Sequence, residues 1–300
     1  MKIRTPYKIL GTIFLCLAFI LIYAPIILII IMSFTKTYSL SEIGREFSLK
    51  WYISLFRGDY ENFDTIFGLQ YHIDNKFISN IDSLKVAIVN TFLVTILSTI
   101  ISTVFGTMFA IGIHSFNKKH RTFFNILNNM PIVNPDIVTG FLLLLVFVLF
   151  QTLFGLERGT FTVLLSHIFF SIPYVVLSVL PRLKQIDENT YEAARDLGCG
   201  RLEAILKVVI PAISTGIISG AMFAFTMSID DFVITMFVSG TEYFNVSTWI
   251  DSSMRRGYIP KTVYAYNAII FFIASIIITF MNIRNAKRIK KGVLVWKRNC

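Results

Sequence analysis

The chain has 300 residues, 55% of them hydrophobic and only 15% charged, with a mean hydropathy of +0.67. Soluble domains carry nearer a quarter charged residues, so an ordinary soluble fold is excluded and several apolar runs of spanning length indicate a polytopic membrane protein. A net charge of +10 would suggest nucleic acid in a soluble chain; here the basic residues cluster beside apolar spans, where membrane orientation accounts for them.

Six apolar segments follow in order. The first, roughly Ile9–Met32, contains Pro25 as a kink and follows Lys2, Arg4 and Lys8 in the manner of a signal peptide. It is too long for a signal core and lacks an A-x-A cleavage site, so it is expected to persist as a signal anchor. The stretch from Ser33 to Ser83 carries charges of both signs and aromatics such as Trp51, Tyr52 and Tyr60, and is too charged to insert. The second span is roughly Leu84–Ile113, followed by a basic loop with His114, Lys118, Lys119, His120 and Arg121. The third, Phe124–Phe150, is interrupted by Pro131 and Pro135, and the fourth covers Phe161–Leu180. A polar island fills Pro181–Pro211. After it come a fifth span, Ala212–Val238, an external segment, Ser239–Lys261, a sixth span, Thr262–Ile283, and a basic tail.

Six spans put both termini on one side. That side holds eighteen Lys and Arg against nine opposite, which places the termini and the island in the cytoplasm. Gly216, Gly220 and Ala224 recur every four residues in span five, and Gly106 and Ala110 do so in span two. Such spacing lets helix backbones approach closely, so packing inside the bundle is the expected use.

Three acids lie in or beside the spans: Asp136, Asp230 and Asp231. An aspartate at mid-bilayer costs about 2.5–3.5 kcal/mol on the insertion scale. Asp136 follows Pro135, so it either caps a half-helix beginning there or lines a cavity where irregular backbone is tolerated. Asp230 and Asp231 fall about 12 Å inside the outer boundary of span five, unless that span ends early and leaves them interfacial. Adjacent helical positions point about 100° apart, so the two cannot face one point squarely. With no basic residue in the spans to neutralise them, the acids suggest a cation-selective lining at more than one depth, suited to an elongated ligand with several ammonium groups. Aromatics such as Trp51, Tyr174, Tyr243 and Trp249 lie near interfaces, and anchoring there is the expected use of any one of them; an aromatic box around an ammonium is the alternative.

The chain has no P-loop, so ATP hydrolysis by that route is not expected of it. No H-E-x-x-H motif occurs, and Cys16, Cys199 and Cys300 match no zinc or disulfide spacing. No catalytic residue, metal site or cofactor is therefore expected in the chain itself. An intramembrane aspartyl protease built on Asp136 and Asp230 is an alternative of another class, but its Gly-x-Gly-Asp motif is missing.

The island reads EAARDLGCGRLEAILKVVIP. Asp187 or Asn189 can cap a short helix from about Thr190, Gly198 can end it in the left-handed conformation, and a second helix, Arg201–Val209, is expected to stop at Pro211. Glu192, Ala193, Ala194, Gly198 and Pro211 resemble the Glu-Ala-Ala-x-x-x-Gly motif of ABC-importer permeases, with Val208 and Ile210 where Ile and Leu are usual. Asp196 lies within the motif. Further likeness, in KWYISLF (50–56), NPDIVTG (134–140), LSHIFFSIPYVV (165–176) and FTMSIDDFVITMFVSG (225–240), is to the second permease subunit of spermidine/putrescine importers.

The resemblance implies an all-α, type I ABC-importer permease fold with six transmembrane helices in a bacterial inner membrane. Residues 1–83 would be the anchor helix and external segment, 84–283 the permease core with its coupling loop at 182–211, and 284–300 a basic cytoplasmic tail. Implied partners are a dimer of ATP-binding ATPase subunits, a second homologous permease, an extracytoplasmic polyamine-binding protein and the lipid bilayer, with no nucleic acid. Glu192, Ala193, Ala194, Asp196, Gly198 and Pro211 would couple to the ATPase, while Asp136, Asp230, Asp231 and Tyr174 would line the polyamine path. A permease for another organic cation or for iron is the alternative within transport.

Overall fold

The computed structural model describes residues 5–35, 47–57, 79–240, 243–255, 262–276 and 279. Lys2, Arg4, the Asp59–Lys76 region and the basic tail lie outside these. The chain divides into two compact units, one of residues 1–81 with 256–300 and one of residues 82–255.

In the first unit, α1 (Thr5–Ser33) is apolar on every face and contains Pro25. Its end is tied to α2 (Lys50–Arg57), where Trp51 Nε1 donates to Thr35 O at 2.9 Å and Tyr52 shares a 2.7 Å bond with Ser33 Oγ. Phe34 stacks on Phe47 beside this joint. The described part of the sixth span is α13 (Thr262–Ile276).

The second unit is organised around α6 (Thr160–Leu183), the most buried of the spanning helices. Before it come α3 (Ser79–Ser115), α4 (Lys118–Val133) and α5 (Asp136–Phe154). After it come α7 (Glu188–Asp196), α8 (Arg201–Ala204), a π turn (Ile205–Val209), α9 (Ile210–Ala212), α10 (Ser214–Ile229), α11 (Val233–Val238) and α12 (Val246–Arg255). Small residues set how closely helices approach α6. A Cβ on Gly106 would lie 2.7 Å from Val175 Cβ, and one on Gly220 3.1 Å from Val175 Cα; one on Gly216 would lie 3.1 Å from Ser178 O. The two glycine stripes thus pack on a single helix, and Val175, Val176, Val179, Ile213 and Ala224 form a buried cluster there.

Among the described residues, α1, α3, α5 and α6 contain segments long and apolar enough to cross a membrane, and Arg201–Ala212 meets α10 at a 73° bend, with α10 the apolar arm of the pair. The third span is broken at Asn134–Pro135 as expected: proline holds Asn134 extended (ψ 138°), so α4 stops at Val133 and α5 starts afresh at Asp136. Three other expected boundaries differ. Pro131 does not interrupt the span; it lies inside the last turn of α4. The fifth span ends at Ile229 and resumes at Val233. Pro211 does not stop the second island helix. The preceding π turn, in which the Ile210 N–H bonds Ile205 O, carries the chain past the ring, and the break falls at Ile213 instead.

Candidate functional site

Asp136 occupies the first helical position of α5, with Pro135 rather than Asp136 as the N-cap. Its carboxylate is exposed and sits at the positive end of the α5 dipole. It is near enough to the Tyr174 hydroxyl for its charge to be felt there. Tyr174 is half-buried, about 21 Å along α6 from Thr160 at 1.5 Å per residue. Asn128 Nδ2 of α4 donates to Pro173 O at 3.4 Å, so the helix that leads to Asp136 packs on α6 next to Tyr174.

α5 also lies against α11. A Cβ on Gly140 would meet the Phe237 ring at 2.8 Å and Ile234 Cα at 3.4 Å, and Phe147 shares a buried cluster with Val163, Ile234 and Val238. The break between α10 and α11 therefore sits close to the start of α5. At that break Asp230 and Asp231 diverge. Asp230 is exposed, and its backbone (φ −104°, ψ 6°) has left the helix. Asp231 is turned inward: its carboxylate accepts bonds from Thr235 N (2.8 Å), Thr235 Oγ1 (2.7 Å) and Ile234 N (3.3 Å), capping α11.

Behind Asp231 stands His167, 2% exposed, its Nε2 3.5 Å from Asp231 Oδ2 and 3.0 Å from Thr235 Oγ1. Among the described residues, Asp231 alone of the three acids has such a partner, against the expectation that no basic residue in the spans meets any of them. Nδ1 lies 2.6 Å from Ser228 Oγ, which in turn is 3.0 Å from Ser98 Oγ. Asn245 Nδ2 donates to Asp231 O at 2.7 Å, and Val246 N donates to Thr91 Oγ1 at 3.0 Å. One buried polar network thus ties α3, α6, the break and the start of α12 together.

On the island, Asp187 caps α7 by accepting from Asn189 N at 3.1 Å. Gly198 has φ +90°; its N–H bonds Arg195 O and the Cys199 N–H bonds Ala194 O, the six-to-one and five-to-two pair of a Schellman motif. Ala194 is buried, whereas Ala193, Glu192, Asp196 and Pro211 are exposed. Glu192 helps to line a cleft of about 580 Å³ with His114, Lys118, Arg121, Asp187 and Tyr191. Glu203 and Lys207 pair at the surface, and that hydrogen bond holds the Glu203 carboxyl below its ordinary range.

Residues 102–291 match the family described as binding-protein-dependent transport system inner membrane component. The chain belongs to this family. The putrescine transport system permease protein PotI of Escherichia coli (strain K12) is 31% identical over 261 residues, covering 86% of this chain and 84% of that protein. The spermidine/putrescine transport system permease protein PotC of Haemophilus influenzae is 29% identical over 249 residues, covering 83% and 86%. A solved bacterial ABC transporter that imports the acidic polysaccharide alginate matches in fold, with a TM-score of 0.61 at 16% identity over 93% of this chain and 96% of that one. The chain is accordingly an inner-membrane ABC permease with the type I permease fold.

Within this permease the residues singled out from sequence fall into two groups. Asp136 stands at the α4–α5 break, and Asp230 at the α10–α11 break with Asp231 directly behind it. Glu192 to Gly198 form one capped helix and its turn. His167 and Asn245 were missed. A lone histidine in an apolar run reads as core, and Asn245 lies in a segment that looks like external loop; neither carries a spacing that announces its partner.

Proposed function

We propose that the permease is one of two such subunits of an ATP-driven polyamine importer, and that Asp136, Tyr174 and Asp230 line its share of the path. The carrying observation is the pair of exposed carboxylates at broken helices that pack on α6. The break in α10–α11 is level with His167, seven residues before Tyr174, so the two acids are offset along α6 by roughly 10 Å. Two carboxylates at different depths match an elongated cation with separated ammonium groups better than a single compact ion. The names of the putrescine and spermidine/putrescine relatives support the same substrate class.

In this reading the core is residues 84–283, and both termini and the island lie in the cytoplasm, on the basic side of the chain. A binding protein delivers ligand from outside, and a separate ATPase dimer binds the Glu192–Gly198 helix, leaving no catalytic step to this chain. ATP-driven closure of the dimer displaces that helix, and the motion passes through the Ile213 bend into α10.

The test is uptake of putrescine and spermidine by the assembled transporter carrying Asp136→Asn or Asp230→Asn. Reduced uptake with normal complex recovery is expected. Unchanged uptake in both variants overturns the acidic path, and competition by iron or by an unrelated organic cation but not by polyamines overturns the substrate class.

A further inference from the structure

The buried network around the α10–α11 break bears on how two adjacent acids can serve one path. Proton accounting fixes much of it. Thr235 has one hydroxyl proton, and it goes to Asp231 Oδ2 at 2.7 Å. The Thr235 oxygen must therefore accept the 3.0 Å contact from His167, which makes Nε2 the proton-bearing nitrogen and directs it between Thr235 and Asp231. Nδ1 is held at 2.6 Å by Ser228, the penultimate residue of α10. His167 thereby touches the last turn of α10 on one edge and the first turn of α11 on the other. The two residues between those turns that carry carboxylates are Asp230 and Asp231.

Asp231 has no free face. Two backbone N–H groups and one hydroxyl occupy its oxygens, its side chain is 9% exposed, and its carbonyl accepts from Asn245. A carboxylate so enclosed is poorly placed to meet a passing ligand. Asp230, one residue earlier, is exposed, and no described side-chain hydrogen bond engages it.

We infer that His167 is a positioning residue for transport: by clamping Asp231 and Ser228 across the helix break, it holds the backbone of Asp230 so that this carboxylate, and not its neighbour, faces the ligand. The inference rests on the acidic path proposed above and divides the two aspartates between ligand contact and scaffold. Ser98 and Asn245 complete the clamp from α3 and from the segment leading into α12.

A double-mutant cycle on putrescine uptake by the full transporter tests it. Removing a hydrogen-bonded charge from a ligand site costs on the order of tenfold or more in half-saturation. Asp230→Asn should therefore raise the half-saturating concentration about tenfold, and His167→Leu should raise it by a similar factor because Asp230 is misplaced. The double variant should then resemble Asp230→Asn alone, since there is no carboxylate left to position. His167→Gln, which keeps a donor and an acceptor on one side chain, should recover most of the affinity, and it replaces the Leu variant in the cycle if that protein does not assemble. Effects that multiply in the double variant overturn the positioning role while leaving the acidic path standing. A silent Asp230→Asn overturns the positioning role and leaves the acidic path to be decided by Asp136→Asn. Asp231→Asn matching Asp230→Asn in half-saturation, with normal complex recovery and unchanged maximal rate, would overturn the division of labour.

Discussion

Gly106 of α3 lies directly over Val175 of α6: a methyl group built on the glycine would sit 2.7 Å from the valine Cβ and 2.8 Å from its Cγ1. Val175 is also the residue that Gly220 of α10 packs on. One side chain is therefore gripped by two helices, each of which gives up its own side chain to reach it. Gly106→Ala should overpack this contact and cost about 1–3 kcal/mol. Thermal unfolding of the purified protein in detergent should show a lower midpoint. Adding Val175→Ala should return part of the loss, and additivity of the two changes would deny the contact.

Gly198 presents a different constraint. Its φ of +90° lies where L side chains are strained, yet an added Cβ would meet nothing within 4 Å. Substitution effects there should follow backbone preference and not size. Gly198→Asn should be tolerated better than Gly198→Ala, and Gly198→Val should lose about 1–2 kcal/mol. The check is ATP-driven uptake, with complex recovery as control; equal effects of Asn and Val would argue that shape, not conformation, governs this position.

Asp187→Ala removes the N-cap of α7 and should destabilise that helix by about 0.5–2 kcal/mol, whereas Asp187→Ser should keep most of the cap. Because α7 is short, the loss should appear as faster amide exchange confined to residues 188–196. Exchange unchanged in the Ala variant would show that tertiary contacts alone hold the helix.

Asn245 is 2% exposed and bonds at both ends of its amide, donating to Asp231 O and accepting from Thr248 N at 2.8 Å. Asn245→Ala strands both groups and should cost about 1–3 kcal/mol. Asn245→Asp sets a buried carboxylate oxygen against the Asp231 carbonyl, so it should lower the thermal midpoint at least as far as Asn245→Ala. An Asp variant close to the parent midpoint would deny the Asp231 contact.

The apolar runs made the spanning helices legible, because hydropathy needs only composition and length. The island was legible in finer detail: the acid at 187 caps α7 and the glycine at 198 takes the positive φ that ends it, each answering a local backbone requirement. Pro135 marked a break and one is there. Pro211 marked another, and the chain instead absorbs the ring through a π turn, a solution that depends on packing and leaves no sequence signal. The break at Asp230–Phe232 has neither proline nor glycine. It is held open by Asp231 capping α11 and by His167, two partners 64 positions apart in the chain, so no local pattern reveals it.

The 73° bend at Ile213 has a mechanical consequence. Arg201–Ala212 and α10 meet like the arms of a bell crank, with the fully buried Ile213 at the fulcrum. A push directed along one arm cannot simply slide the other along its own axis; it arrives as a rotation. About four turns of α10 separate the fulcrum from the Ser228 clamp, so a small angular displacement at Ile213 grows with distance by the time it reaches the two aspartates. On the coupling proposed above, this geometry would convert a nudge on the island into a tilt where the charges are.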